Sequence, residues 1–343
     1  MRRGFDSRYP HQMAKNFWQK LQPRADRPRA GKNPFFVLAP MHGVTNFDFR
    51  QTLLKTGRPD VFYTGFVSAD GLCSGAGKKS ALSLLKYSKR EKPIVAQIFG
   101  SKPEKFYEAA KIIKKLGFDG IDINMGCPDQ GINKQGSGAA LIKSPELAIK
   151  IIEATKRGAG SMPVSVKTRI GYYEKETEKW VKKILSAKPA ALTIHGRTTS
   201  QGYGGLADWG EIKKAAQLAK KLGVVVIGNG DIKSLEEGII KANDSGCDGI
   251  MIGREALKNP WVFNKNKKEV SVKERLETLL HHLKIFQKKK YSKHDLSHFR
   301  IYITGCISGF PSSKEMRIGL MESKTPRELE GRIKLLLKSN GVG

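Results

Sequence analysis

The chain has 343 residues, of which 39% are hydrophobic and 8% aromatic, enough for a packed core and too much for wholesale disorder. It carries 62 Lys and Arg against 32 Asp and Glu, a formal charge of +30, which says nothing about fold but points to a polyanion or an anionic membrane surface as partner. The length suits two domains, or one barrel of roughly 250 residues with an appendage. Residues 1–33 (net +7) read as a basic arm with a short helix around 12–21. Its Arg-rich, acid-poor composition is that of a transit peptide, but Pro10, Pro23 and Pro28 interrupt any long amphipathic helix, so a cytoplasmic location is expected. Residues 34–265 alternate short apolar runs with amphipathic stretches. The predicted strands are 35–38, 61–63, 94–99, 120–124, 164–168, 191–195, 224–228 and 249–252, near-continuous in apolar residues as in a parallel sheet buried on both faces. Helical patterns fall at 103–116, 146–155, 174–187, 209–222 and 234–245. Eight β units in this span predict an α/β fold, a (β/α)8 TIM barrel. A doubly wound sheet is the alternative, but its Gly-rich GxGxxG turn is missing. Residues 270–343 lack strand pattern and predict a C-terminal helical domain with helices at 272–290, 298–304, 313–321 and 326–338.

The four cysteines, Cys73, Cys127, Cys247 and Cys306, contain no CxxC spacing, so neither a disulfide framework nor a zinc site is expected. No apolar run approaches the roughly 20 residues of a membrane span. A membrane-surface role lacks its basic amphipathic helix.

In a barrel, chemistry collects at the C-terminal ends of the strands. Polar and glycine residues fall there: Pro40, Met41 and His42 after the first strand, Gln97 in the third, Asn124 and Cys127 at the fourth, Lys167 and Arg169 at the fifth, His195 at the sixth, Asn229-Gly230-Asp231 at the seventh, and Gly253-Arg254 at the eighth. The last two loops suit a phosphate group, with glycine backbone N–H groups and an arginine fork, although each alone is also an ordinary βα turn. Lys167 in an otherwise apolar strand is either a Schiff-base nucleophile or a fixed positive charge. Gln97 offers donors and a carbonyl to a heterocycle edge. His195 is a ligand contact or a core histidine. Cys127, in a Gly-Cys-Pro turn, is an inert thiol, a nucleophile or a proton donor.

The segments APMHGVTNFDFR (39–50), QIFG (97–100), DINMGCP (122–128), VKTRIG (166–171), HGRT…QGY (195–203), IGNGDI (227–232) and MIGREALKNPWVF (251–263) resemble, in order, the tRNA-dihydrouridine synthases. The tail, with HFRIYITG…PSSKEMR (298–317), resembles their helical domain more loosely. The resemblance implies an FMN-bound barrel that reduces uridine in tRNA with NADPH, hydride passing from flavin N5 to uracil C6 and a proton from Cys127 to C5. It implies flavin contacts from Pro40, Met41, His42, Gln97, Lys167 (as a fixed charge) and His195. Asn229, Gly230, Asp231, Gly253 and Arg254 are implied at the ribityl and phosphate. Asn124 and Arg169 are implied on the substrate side. Residues 270–343 are implied as a tRNA-binding domain, on a monomer without metal. His42 and Asn46 depart from the family's usual Ala and Asp. Two other readings compete: an FMN-barrel oxidoreductase acting on a free pyrimidine or other small molecule, and a non-catalytic RNA-binding protein. The basic tail weighs against the first, and Cys127, Lys167 and the phosphate loops against the second.

Overall fold

A computed structural model of the chain describes residues 16–22, 33–267, 269–288 and 296–339. Most of the basic arm, and the 289–290 end of the helix expected at 272–290, lie outside the described residues.

The strands are β1 (Phe35–Leu38), β2 (Phe62–Tyr63), β3 (Val67–Ser68), β4 (Ile94–Phe99), β5 (Gly120–Met125), β6 (Val164–Arg169), β7 (Ala191–His195), β8 (Val225–Asn229) and β9 (Gly249–Ile252). All pairings are parallel, in the order β1-β9-β8-β7-β6-β5-β4-β2, with the short β3 also on β4. A bridge between Val37 and Val61 joins the first strand to the entry of β2 and closes the ring. The predicted (β/α)8 barrel is therefore the architecture found. The strand β3 was not anticipated, being too short to show a pattern.

Side-chain alternation sorts each strand into two faces. Outward residues such as Leu38, Ile98, Ile123, Val166, Ile194 and Ile252 join one large core with the surrounding helices. Inward residues Phe35, Val37, Tyr63, Val95, Val225, Ile227 and Met251 form a second, smaller core inside the ring. The inward positions of β5, β6 and β7 break this apolar rule: Asp122, Asn124, Ser165, Lys167, Thr193 and His195. Val164 and Val166, which precede Lys167 on the same strand, face the other way.

The N-terminal helix Phe17–Leu21 belongs to this inner core. Its capping box, Asn16 with Gln19, starts it cleanly. Trp18 is fully buried against Phe35 and Tyr63, and Gln22 donates to Asp248 at the start of β9 (3.1 Å). Phe35 and Asp248 sit at the N-terminal ends of β1 and β9, so the helix seals the barrel's lower end.

At the other end the tail helices Val272–Gln287, Arg300–Cys306, Ser313–Met321 and Pro326–Ser339 share the outer core through Leu276, Leu279, Leu283, Phe299 and Ile303. His282 Nε2 meets Asp48 Oδ2 at 3.1 Å, with both residues buried. The Tyr302 ring stacks on Phe49, and its hydroxyl donates to the Val44 carbonyl at 2.6 Å. The tail thus grips the loop between β1 and the helix Phe47–Thr56, which carries Pro40, Met41 and His42.

Candidate active site

A cavity of ≈ 980 Å³ opens at the C-terminal ends of the strands. It is lined by every residue singled out from the sequence: Pro40, Met41, His42, Gln97, Asn124, Cys127, Lys167, Arg169, His195, Asn229, Gly230, Asp231, Gly253 and Arg254. Ile301 of the tail completes one wall.

After β1 the chain turns tightly. Thr45 Oγ1 accepts from Met41 N (2.9 Å), and Val44 N and Thr45 N both donate to the Met41 carbonyl. This holds Pro40 and Met41 at the cavity floor. His42 stays exposed and stacks on Phe66, with ring centroids 4.8 Å apart.

The polar inner face forms a connected chain of hydrogen bonds. Ser165 Oγ donates to Asp122 Oδ1 (2.6 Å), and Gln97 Nε2 donates to Asp122 Oδ2 (2.7 Å). Asn124 Nδ2 donates to Gln97 Oε1 (3.0 Å), while Asn124 Oδ1 accepts from the backbone N–H of Gly126 (3.1 Å) and Cys127 (2.9 Å). Gln97 therefore keeps one N–H and one lone pair for a ligand rather than the full edge expected from sequence. Burial raises the Asp122 carboxyl to about 6, against the opposing pull of its Ser165 and Gln97 bonds and Lys167.

Asn124 thereby shapes the loop bearing Cys127. Gly126 allows a close approach: a Cβ there would lie 3.3 Å from the Thr168 backbone, a tight contact. The space that Gly126 leaves open lies toward β6. Burial, the largest influence, pushes the Cys127 thiol above its ordinary range, with Arg169 and Lys167 opposing. The thiol is thus held protonated at neutral pH.

Lys167 is half-buried in the cavity, and burial followed by Arg169 lowers its ammonium to about 8. Arg169 donates Nε to the Gly126 carbonyl (2.7 Å) and Nη1 to the Thr198 and Gly202 carbonyls (2.9 Å each). Most of its donors tie loops together, a scaffold role the sequence did not suggest.

The buried Arg197 went unnamed as a site residue in the sequence. It donates Nη2 to both oxygens of Asp231 (2.9 and 2.7 Å), and its Nη1 lies 3.3 Å from His195 Nε2. A guanidinium only donates, so His195 Nε2 accepts and the proton sits on Nδ1. Burial and then Lys167, Arg169, Arg197 and Arg254 depress His195 well below its usual range, keeping it neutral. Asp231 Oδ1 also takes Arg254 Nη2 at 2.8 Å. Burial would raise this carboxyl, but the Ala207 N–H and the two arginines outweigh it and hold it low. The Asp231 carboxylate thus orients two arginines at the cavity wall. The HGR run at the end of β7, opposite the NGD run of β8, was the available signal for this pair.

Gly230 has φ +141°, and a Cβ there would lie 2.4 Å from Ala207 Cβ. Among the described residues, the backbone N–H groups of Gly230, Asp231 and Gly253 donate to no protein acceptor. With Arg254 they form a ready anion cradle. Six cationic side chains line the cavity against three carboxylates. Among the described residues no group of three His, Cys, Asp or Glu could hold a metal ion.

With this geometry in view, the pattern described as dihydrouridine synthase (Dus) matches residues 37–340. The chain belongs to the dihydrouridine synthase family. Relatives within the family include a probable tRNA-dihydrouridine synthase of Staphylococcus aureus (strain MRSA252), 39% identical over 322 residues, covering 92% of this chain and 94% of that protein. The probable tRNA-dihydrouridine synthase 2 of Bacillus subtilis (strain 168) is 39% identical over 327 residues, covering 92% and 95%. Among solved structures, a 2-naphthoyl-CoA reductase in complex with 2-naphthoyl-CoA aligns with TM-score 0.53 at 10% identity, over 69% of this chain and 50% of that one. A histamine dehydrogenase from Rhizobium sp. 4-9 aligns with TM-score 0.53 at 12% identity, over 74% and 49%. At such identity these neighbours speak to the barrel fold alone.

Proposed function

We propose that the protein is a flavin-dependent oxidoreductase that reduces uridine in tRNA to dihydrouridine, with FMN as resident cofactor and NADPH as reductant. The observation that carries this reading is the meeting, in one cavity, of a protonated Cys127 thiol, a cationic floor at Lys167 and an anion cradle at Gly230, Asp231, Gly253 and Arg254. Membership of the family supports the substrate.

The residues fit FMN. The free backbone N–H groups and Arg254 suit its phosphate, Gln97 and Lys167 the polar edge of its ring, and Pro40 and Met41 an apolar face, with His195 and Asn229 completing the walls. His195, neutral and with Nδ1 protonated, can offer a hydrogen bond without adding charge. Bound and reduced, FMN supplies the hydride that uracil receives at C6.

The remaining work belongs to the chain. Negative charge developing on the uracil needs a proton at C5, and the Cys127 thiol is the donor. A donor must still hold its proton at neutral pH, which is the effect of its burial. The thiolate left behind lies close to Lys167 and Arg169, which stabilise it until solvent returns the proton. Asn124 positions the donor through the Gly126 and Cys127 N–H groups and keeps its own place through Gln97 and Asp122. Asn124 and Arg169 border the space for the uracil. The base must leave its stack to enter the cavity.

Replacing Cys127 by Ala tests the reading. The variant should keep FMN and bind tRNA normally while dihydrouridine formation falls by about two orders of magnitude or more. Full activity would remove Cys127 as proton donor.

A further inference from the structure

Beside the cavity, on the Cys127 side, lies a surface that the chemistry above does not use. The loop after β6 presents Tyr172 and Tyr173, with ring centroids 4.7 Å apart and planes at 71°. Tyr172 is half-buried against the outer core, whereas Tyr173 is 72% exposed. The ammonium of Lys143, on the turn Gly138–Lys143, stands 4.2 Å from the Tyr172 centroid and 5.8 Å from that of Tyr173. Both elements are tied to the cavity. Ala139 N donates to the Cys127 carbonyl, and Gly171 and Tyr172 accept through their carbonyls from Thr199 and Ser200 N, in the loop that goes on to Tyr203. Tyr203 is itself 64% exposed and carries Arg254 over its ring at 5.2 Å.

An exposed tyrosine braced edge-on by a second ring, with a cation beside it, presents an open π-face in a fixed orientation. Tyr173 gives up most of its apolar surface to water. Rings with adjacent cations on a strongly basic protein match the chemistry of unstacked nucleic acid, which offers a π-face to the ring and phosphates to the cations. Extraction of one base also leaves its neighbour without a stacking partner. We propose that Tyr173, braced by Tyr172 and flanked by Lys143, is a stacking platform for an unpaired RNA base adjacent to the uridine that enters the cavity. This rests on the tRNA reading and extends it to a named contact outside the reaction centre.

The test compares flavin-loaded wild type with Tyr173→Ala, Tyr173→Phe and Tyr173→Trp, measuring equilibrium binding of an unmodified tRNA transcript and steady-state dihydrouridine formation. Tyr173→Ala should raise both Kd and KM for the transcript about tenfold with kcat little changed, and Tyr173→Phe and Tyr173→Trp should restore wild-type values, because a ring is what the base needs. Unchanged FMN content establishes that the variants are folded. Wild-type affinity in Tyr173→Ala, with the wild type binding the transcript, overturns the platform and leaves the tRNA reading standing. A Tyr173→Ala variant that loses self-association but not RNA affinity assigns the surface to a second copy of the chain and overturns the platform too. Failure of the wild type itself to bind the transcript overturns both readings.

Discussion

Lys167 stands where its charge is costly, on the inner face of β6 with Arg169 two residues on. The cavity position and that neighbour lower its ammonium to about 8. A ligand that prefers the charged form must then bind less well as pH rises through about 8. FMN affinity, followed by quenching of flavin fluorescence, should fall across that range in the wild type. Lys167→Met should weaken binding roughly tenfold or more and flatten the dependence. Asp122 poses the opposite case. Its folded value of about 6 lies above the 3.8 of an ordinary aspartate, so between those values the folded chain keeps a proton that the unfolded chain has released. The contribution to stability is complete below about pH 4 and is lost as pH rises through about 6, a change of about 3 kcal/mol. Asn at this position can accept from Gln97 and donate to Ser165. Asp122→Asn should therefore gain stability relative to wild type between pH 4 and pH 6 in denaturant titrations; a constant difference would show that the carboxyl is not so perturbed. Cys127, Lys167 and Gln97 were legible in the sequence because they are polar letters at strand ends. Asp122 and Arg197 escaped because their importance comes from partners on neighbouring strands, and that register exists only once the ring closes.

At the scale of elements, the strands were legible almost to the residue, since burial on both faces leaves continuous apolar runs. The helix Phe17–Leu21 was not recognised as a barrel plug. Its five residues lie among Arg, Gln and Pro, and one buried tryptophan does not outweigh that composition in a sequence window. Trp18 nevertheless fills the bottom of the ring, and among the described residues its indole N–H has no acceptor. Trp18→Ala should lower the unfolding free energy by about 3–5 kcal/mol. Trp18→Phe should cost much less, because it keeps the ring and removes an unsatisfied donor. Equal losses in denaturant unfolding would mean that the indole, rather than the filled volume, holds this end. The tail shows a similar limit. Its helices were legible, but the Tyr302 bond to Val44 and the His282–Asp48 pair, which join it to the loop carrying Met41 and His42, were not.

Across the whole molecule, the charge of +30 divides by position. The basic side chains lining the cavity are balanced only in part by Asp231, Asp129 and Glu255, an excess of positive charge that suits the proposed anionic ligand. Residues 264–343 contribute +10, and the described tail helices reach the same opening through Ile301. A cavity and a basic surface that share one rim suit a reactive base presented by a large polyanion. The most direct measurement is mass spectrometry of nucleosides from an unmodified tRNA transcript incubated with the FMN-loaded protein and NADPH. Uridine should be converted to a product heavier by two hydrogen atoms, dependent on Cys127. A transcript left unchanged while NADPH is consumed on a free pyrimidine would contradict this reading.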